Sequence, residues 1–399
     1  MRFDSKIKVH FFVVQVIVLV LALCISPAKA QQQPDSIPSL LNDMNLQIDI
    51  TEAVNNMYNF KFHDAEVEFN YLKYRFGWHP LPYFLMGLST WWKIVPDQNE
   101  TRYDERLLNY MDTAIFMAER LYYQNEKNVE AAFFLAAAHG FKGRLHSERR
   151  NWRKAAVSGK NALKFLERSK ENQEFSPELL FGDALYNYYS VWIPENYPLL
   201  KPILIFFKKG DKKLGLTQLK EVSNNAFYTR TEAQYFLMRI LSMEENDVFG
   251  GLQIAEYLHQ TFPDNSYFHR FYARLLYSTG QYVKAKKISE DIMHKIDNGM
   301  IGYETTCGRY AGFFLGQIHE SFGDKEKAKE FYQRAVDFSE KAEATRSGYY
   351  LYSLLNIGKI LKETDKKQAK KYFKLVKKRS KSSHPANKAA KKELSNLRS

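Results

Sequence analysis

The residues that come nearest to a reactive pair are His319 and Glu320, in the run LGQIHESFGDKEKAKEFYQRAV from Leu315 to Val336. A histidine followed at once by a glutamate is how a zinc-protease helix begins, the imidazole serving as ligand and the carboxylate as general base. That chemistry needs a second histidine one helical turn on, four residues after the first, so that both rings share a face. Gly323 occupies that position. His319 therefore reads as a core histidine packed between helices. Other signals of chemistry are as thin. The stretch Ser158-Gly159-Lys160-Asn161 lacks the upstream glycine and the following Ser or Thr of a phosphate loop, and no Cys/His cluster has metal-ligand spacing. Scattered carboxylates single out no catalytic pair. The expectation is a protein without cofactor, metal or enzymatic activity.

The elements around His319 explain it better. Apolar residues recur at three- and four-residue spacing along most of the chain, strand-like alternation is scarce, and Gly and Pro fall mostly between the periodic stretches. Within this helical pattern Ala273, Gly280 and Ala285 repeat as Gly316, Gly323 and Ala328, each set running from small residue to turn to alanine. Gly358, Ala369 and Phe373 echo them with one residue fewer between the first two. This pattern resembles the tetratricopeptide repeat, a helix with small and large apolar positions, a tight turn, then a second helix reading A-x3-F. Weaker copies reach back to a first repeat near Asp49 that ends in Ala65 and Phe69, about eight hairpins in all. The resemblance implies an all-α, right-handed α-solenoid of helical hairpins closed by a C-terminal capping helix. Close helix approach needs a Gly or Ala on one partner, which Gly316 would offer to Ala328 while Tyr332 fills the space toward the next hairpin.

In such arrays partners bind on the surface lined by the first helix of each hairpin. Carrying over the groove-facing positions of the repeat gives Glu232, Tyr235, Arg239 and Ser242, then Tyr267, Arg270, Arg274 and Tyr277, then Tyr310, Phe313, Gln317 and Glu320. Toward the N-terminus the same positions give a more apolar wall, Leu81, Phe84, Leu88 and Trp91. The candidate partner-binding residues are thus Tyr235, Arg239, Tyr267, Arg270, Arg274, Tyr277, Tyr310 and Phe313. Flat rings offer contact area at low entropy cost and a guanidinium forks a carboxylate, so a protein or peptide partner, acidic in character, is implied. Ordinary helix packing accounts for the same aromatic residues.

The ends of the chain bear on location. A basic start (Arg2, Lys6, Lys8), an apolar run from Phe11 to Ile25 and the site Ala28-Lys29-Ala30 read as a secretory signal peptide over residues 1–30. Leu23 before Cys24 departs from a lipobox, so a lipid anchor is the less favoured reading, and no transmembrane span is expected in the mature chain. Removal of Cys24 leaves Cys307 alone, so no internal disulfide is available. The net charge of +13 is uneven: +11 from Lys362 to Ser399, +3 in the first thirty residues and −1 in the body between. A neutral body argues against nucleic acid, and the basic end suits an anionic envelope surface or an acidic partner at Lys377, Lys378, Arg379 and Lys381.

One stretch interrupts the helical pattern, VWIPENYPLLKPILIFF from Val191 to Phe207, where Pro194, Pro198 and Pro202 forbid a regular helix. It reads as a buried elbow between two halves of the array, or else as an exposed apolar finger. Residues Gly182 to Leu219 resemble a segment of the eukaryotic TPR-containing inclusion-body-clearance family, with a similar helix, proline-rich elbow and GD…LGL run. The domain reading is a signal peptide (1–30), a linker (31–48), N-terminal repeats (49–190), the elbow (191–212), C-terminal repeats (213–378) and a basic capping tail (379–399). The function expected is an exported scaffold in the periplasm or at the outer membrane of a Gram-negative-like bacterium, gripping a protein or peptide in its groove. A carbohydrate-binding outer-membrane accessory is the alternative, and it calls for Trp91, Trp92 and Trp152 exposed together.

Overall fold

The computed structural model describes residues 38–169, 176–198 and 209–397. The signal-like residues 1–30, Cys24 and the 199–207 part of the proline-rich stretch lie outside the described residues. Those described form seventeen α-helices, one 3-10 turn and no strand. In chain order the helices are α1 (Met44–Tyr58), α2 (Phe62–Phe76), α3 (Pro80–Ile94), α4 (Asp104–Gln124), α5 (Val129–Glu148), α6 (Trp152–Ser169), α7 (Leu180–Asn196), α8 (Lys212–Asn225) and α9 (Arg230–Met243). There follow α10 (Val248–Thr261), α11 (Ser266–Ser278), α12 (Tyr282–Asp297), α13 (Thr305–Ser321), α14 (Lys325–Lys341), α15 (Gly348–Leu361), α16 (Lys366–Arg379) and α17 (Pro385–Asn396). The chain divides into two compact units whose boundary falls inside α9, at Ile240–Leu241, with residues 95–97 joining the second unit. Each is a stack of helical hairpins, the all-α arrangement that the repeats imply.

In the first unit α1 packs on α2, α3 on α4, α5 on α6 and α7 on α8, and the first helices α1, α3 and α5 also touch in succession. Trp91, Trp92, Tyr58, Phe69 and Phe134 are its largest fully buried side chains toward the N-terminus. The left-handed positions in these turns are not glycines: Phe60 (φ 63°) and Arg150 (φ 57°) take that conformation. Phe60 is held there by burial and by stacking on Phe62, ring centroids 5.1 Å apart. Helix α7 corrects one expectation, because it runs through Pro194 to Asn196. A proline in the last turn costs one ladder bond, and Asn196 Nδ2 donates to Trp192 O (2.9 Å) in the same turn. Asp211 accepts from the Lys213 and Leu214 amides to start α8. Gly215 then lets the α8 backbone press on α7, where a Cβ would come within 2.6 Å of the Tyr188 amide nitrogen. The two flanks of the proline-rich stretch therefore form one hairpin.

The second unit shows the repeat most plainly. Helices α11 to α17 each pack on the next, and α11, α13, α15 and α17 also touch in succession. The turn after α13 explains the HES stretch. Gly323 sits at φ +82°, the Asp324 amide donates back to His319 O (2.9 Å), and the Asp324 side chain caps α14 through the Lys327 amide (3.1 Å). Gly280 makes the same turn at φ +76°, the Gln281 amide reaching Leu276 O. His319 is buried, stacks on Phe331 (5.4 Å) and has Nδ1 3.4 Å from Asp324. One packing detail differs from expectation. It is Tyr332, not Ala328, that fills the space beside Gly316, where a Cβ would meet the ring at 2.5 Å, and Phe373 does the same beside Gly358 at 2.6 Å. Helix α17 buries Ala386 and Ala390 on the last core cluster, and Asn387 Nδ2 ties it to the carbonyls of Lys377 and Ser380 (3.1 Å each).

Candidate functional site

Helices α11, α13 and α15 are first helices of successive hairpins and pack side by side; along them Tyr310 and Phe313 are buried, while Arg274, Tyr277 and Tyr349 are half-buried. Four of the sequence-derived groove residues come together on them: Arg274, Tyr277, Tyr310 and Phe313. Tyr277 stacks on Phe314 (4.8 Å), while Tyr349 contacts both Tyr310 (4.5 Å) and Phe313 (5.1 Å). Arg309 lies over the Tyr310 ring at 5.5 Å and Arg274 over Phe271 at 5.7 Å. Burial and the neighbouring Tyr310 raise the Tyr349 hydroxyl pKa, and Arg274 and Arg309 pull it back. Both guanidiniums are thus close enough to one phenol to act on it electrostatically.

Among the described residues neither guanidinium has a carboxylate within salt-bridge distance. Arg309 is buried with its Nε unpartnered, and Arg274 has a long contact from Nη1 to Met243 Sδ (3.9 Å). A half-buried and a buried guanidinium set among aromatic rings suit a carboxylate brought from outside, which Arg274 would meet first, with little water to compete. Arg309 and Tyr349 were missed in the sequence, since both lie outside the transferred positions. Arg309 directly precedes Tyr310, and Tyr349 opens the next hairpin.

The remaining candidates are placed elsewhere. Arg270 is buried over Tyr267 (4.7 Å), donates from Nη1 to Pro96 O (2.8 Å) and contacts Cys307 Sγ (3.6 Å). Tyr235, in the first unit, is buried with its hydroxyl accepting from Arg144 Nη2 (2.9 Å) and Arg239 Nη1 (3.2 Å). Tyr267, Arg270 and Tyr235 are internal ties as placed. Lys377, Lys378, Arg379 and Lys381 are all exposed. Of the N-terminal wall, Leu81 and Trp91 are buried, and Phe84 and Leu88 line a cavity of the first unit.

Among the described residues no helix is long and apolar enough to cross a membrane, and no group of three or more His, Cys, Asp or Glu could hold a metal ion. No curated protein matches the chain. Among solved structures it is similar to yeast Tom70, at 12% identity and a TM-score of 0.34, over 89% of this chain and 75% of that one. It is also similar to the TPR domain of P58(IPK), at 13% identity and a TM-score of 0.26, over 89% and 98%. Superpositions that loose carry no argument. Family models of the tetratricopeptide repeat match residues 313–341, within α13 and α14, and residues 352–383, across α15 and α16. Those matches coincide with the hairpins whose Gly316–Tyr332 and Gly358–Phe373 contacts are equivalent, and the chain accordingly carries tetratricopeptide repeats over these hairpins.

Proposed function

We propose that the protein is an exported scaffold of the cell envelope that binds a protein or peptide partner through the faces of α11, α13 and α15. The observation that carries this reading is the pair Arg274 and Arg309, set among Tyr277, Tyr310, Phe313 and Tyr349 without a carboxylate of their own. Such a surface selects an acidic segment carrying an apolar side chain, the carboxylate taken by a guanidinium and the apolar group laid on the rings. The basic start, apolar run and Ala-Lys-Ala site of residues 1–30 support export. The exposed lysines of α16 and the tail suit a second, weaker attraction to an anionic envelope surface. The carbohydrate alternative called for Trp91, Trp92 and Trp152 exposed together, but Trp91 and Trp92 are each 1% exposed and, of the three, only Trp152, at 45%, faces solvent.

Affinity capture from envelope extract with wild type and with Arg274→Gln/Arg309→Gln tests the proposal. Glutamine keeps the length and polarity of the side chains, and thermal melting confirms that both proteins fold. A partner held by wild type and lost from the double variant supports the scaffold. The same retained proteins in both, or glycans retained in place of proteins, would overturn it.

A further inference from the structure

The first unit holds an apolar cavity that the protein-binding surface does not use. Helices α3, α5, α7 and α9 bound it, with one side of α6, and its empty space, mouth included, is about 1140 Å³. Phe84, Leu88, Phe141, Leu185, Tyr189 and Phe236 are among its larger apolar lining residues. Helix α5 explains why the space is open. It is apolar on nearly every side, yet it presents the small residues Ala136, Ala137 and Gly140 toward the cavity, and all three remain only half-buried. A helix with so much apolar surface is ordinarily covered.

Polar groups in the lining are few, and two of them carry a buried atom without a hydrogen bond. Arg144 lies over the Trp91 ring at 4.3 Å and donates from Nη2 to Tyr235 Oη (2.9 Å), but its Nε is buried without a hydrogen bond. Tyr228 is 4% exposed and its hydroxyl is likewise unpartnered. Glu232, also in the lining, is beyond salt-bridge distance of Arg144 and accepts from Trp92 Nε1 (2.7 Å). Burial raises the Glu232 pKa, and Arg144 pulls it back. The guanidinium thus faces an apolar space with its charge incompletely matched, which favours an anionic head followed by a hydrocarbon tail.

We infer that this cavity binds one long-chain fatty acid, its carboxylate on Arg144 and its chain along the Phe84, Leu88 and Phe141 wall. Charge complementarity decides for a free acid over a neutral lipid, because a neutral head would leave Arg144 as it now stands. Recognition of this ligand is independent of the Arg274 and Arg309 surface.

The test is displacement of a fluorescent fatty acid from the full chain by palmitate and by hexadecanol, in wild type, Arg144→Gln and Ala137→Trp. Wild type should bind palmitate saturably with one site per chain and hexadecanol roughly tenfold more weakly. Arg144→Gln should erase the preference for the acid and leave the alcohol bound as before, a result that loss of folding would not give. Ala137→Trp, which fills the space, should abolish both while the helical circular-dichroism signal stays unchanged. Absence of saturable binding, equal affinity for acid and alcohol in wild type, or indifference to Ala137→Trp would overturn the inference. So would binding that appears only after Ile203, Ile205 and Phe207 are changed to Ser, since the apolar run of the chain itself would then be the occupant.

Discussion

Glu178 offers the most quantitative test of how the first unit holds its lining in place. Its carboxylate is 2% exposed, yet it accepts four hydrogen bonds at the start of α9. Oε1 takes the Phe227 and Tyr228 amides at 2.6 and 2.9 Å, and Oε2 takes the Thr229 amide and hydroxyl at 2.8 and 2.6 Å. Burial pushes the carboxyl pKa up, and the four bonds pull it back. In Glu178→Gln one oxygen becomes an NH2 group facing two donors, so two charge-assisted bonds are lost and two buried donors are stranded. At about 1.5 kcal/mol per lost bond the variant should lose about 3 kcal/mol of stability. Thr229→Val, which removes only the hydroxyl bond, should lose about 1 kcal/mol, and the double variant should fall short of the sum. Urea unfolding measures the loss, and hydrogen exchange at the Phe227, Tyr228 and Thr229 amides locates it. A change below about 1 kcal/mol in Glu178→Gln, with those amides still protected, would refute the reasoning. The consequence reaches the cavity, because Tyr228, Thr229 and Glu232 are carried there by the segment Glu178 anchors.

Other predictions are simpler. Gly316→Ala puts a methyl within 2.5 Å of the Tyr332 ring and should cost about 1–3 kcal/mol in thermal or urea unfolding, a cost eased when Tyr332→Leu is added. Tyr332→Phe removes a hydroxyl bonded to Glu320, Gln317 and Asn356 and should destabilise by about 1–2 kcal/mol, with exchange rising at the α13–α15 contact. Burial, with some help from Lys142, lowers the pKa of His139 from 6.5 to about 4. A depressed histidine favours the neutral fold, so its contribution is complete above pH 6.5 and is lost as pH falls toward 4, about 3 kcal/mol that His139→Phe should spare. Stability measured from pH 7 to 4 in both proteins checks the sign.

Much of the second unit could be read from the sequence because two of its turns and its close contacts use residues with a single meaning, although Asn246 and Glu343 are left-handed there too. Gly280 and Gly323 stand where the backbone is left-handed, and Gly316 and Gly358 where a ring must approach, so the copies are visible as letters. The first unit solves the same turns with Phe60 and Arg150, whose types carry no turn signal, and its repeats looked loose for that reason. Pro194 misled in the opposite direction: a helix ending two residues later tolerates it. Of the cluster on α11, α13 and α15, Arg274, Tyr277, Tyr310 and Phe313 stand at the repeat positions read from the sequence. Arg270 and Tyr235 occupy equivalent positions but are consumed by Pro96 and by Arg144, partners distant in sequence. The pairing of Arg274 with Arg309 and Tyr349 depends on three helices meeting, which no single repeat encodes.

The central claim is that the faces of α11, α13 and α15 hold a protein partner through two guanidiniums. Replacing Tyr277 by a photo-crosslinking phenylalanine in the native host, then irradiating intact cells, tests it most directly. The account predicts one discrete adduct with another protein, absent when Arg274→Gln and Arg309→Gln are combined with the probe. A folded protein that yields no adduct, or one whose adducts persist without the two arginines, would contradict it.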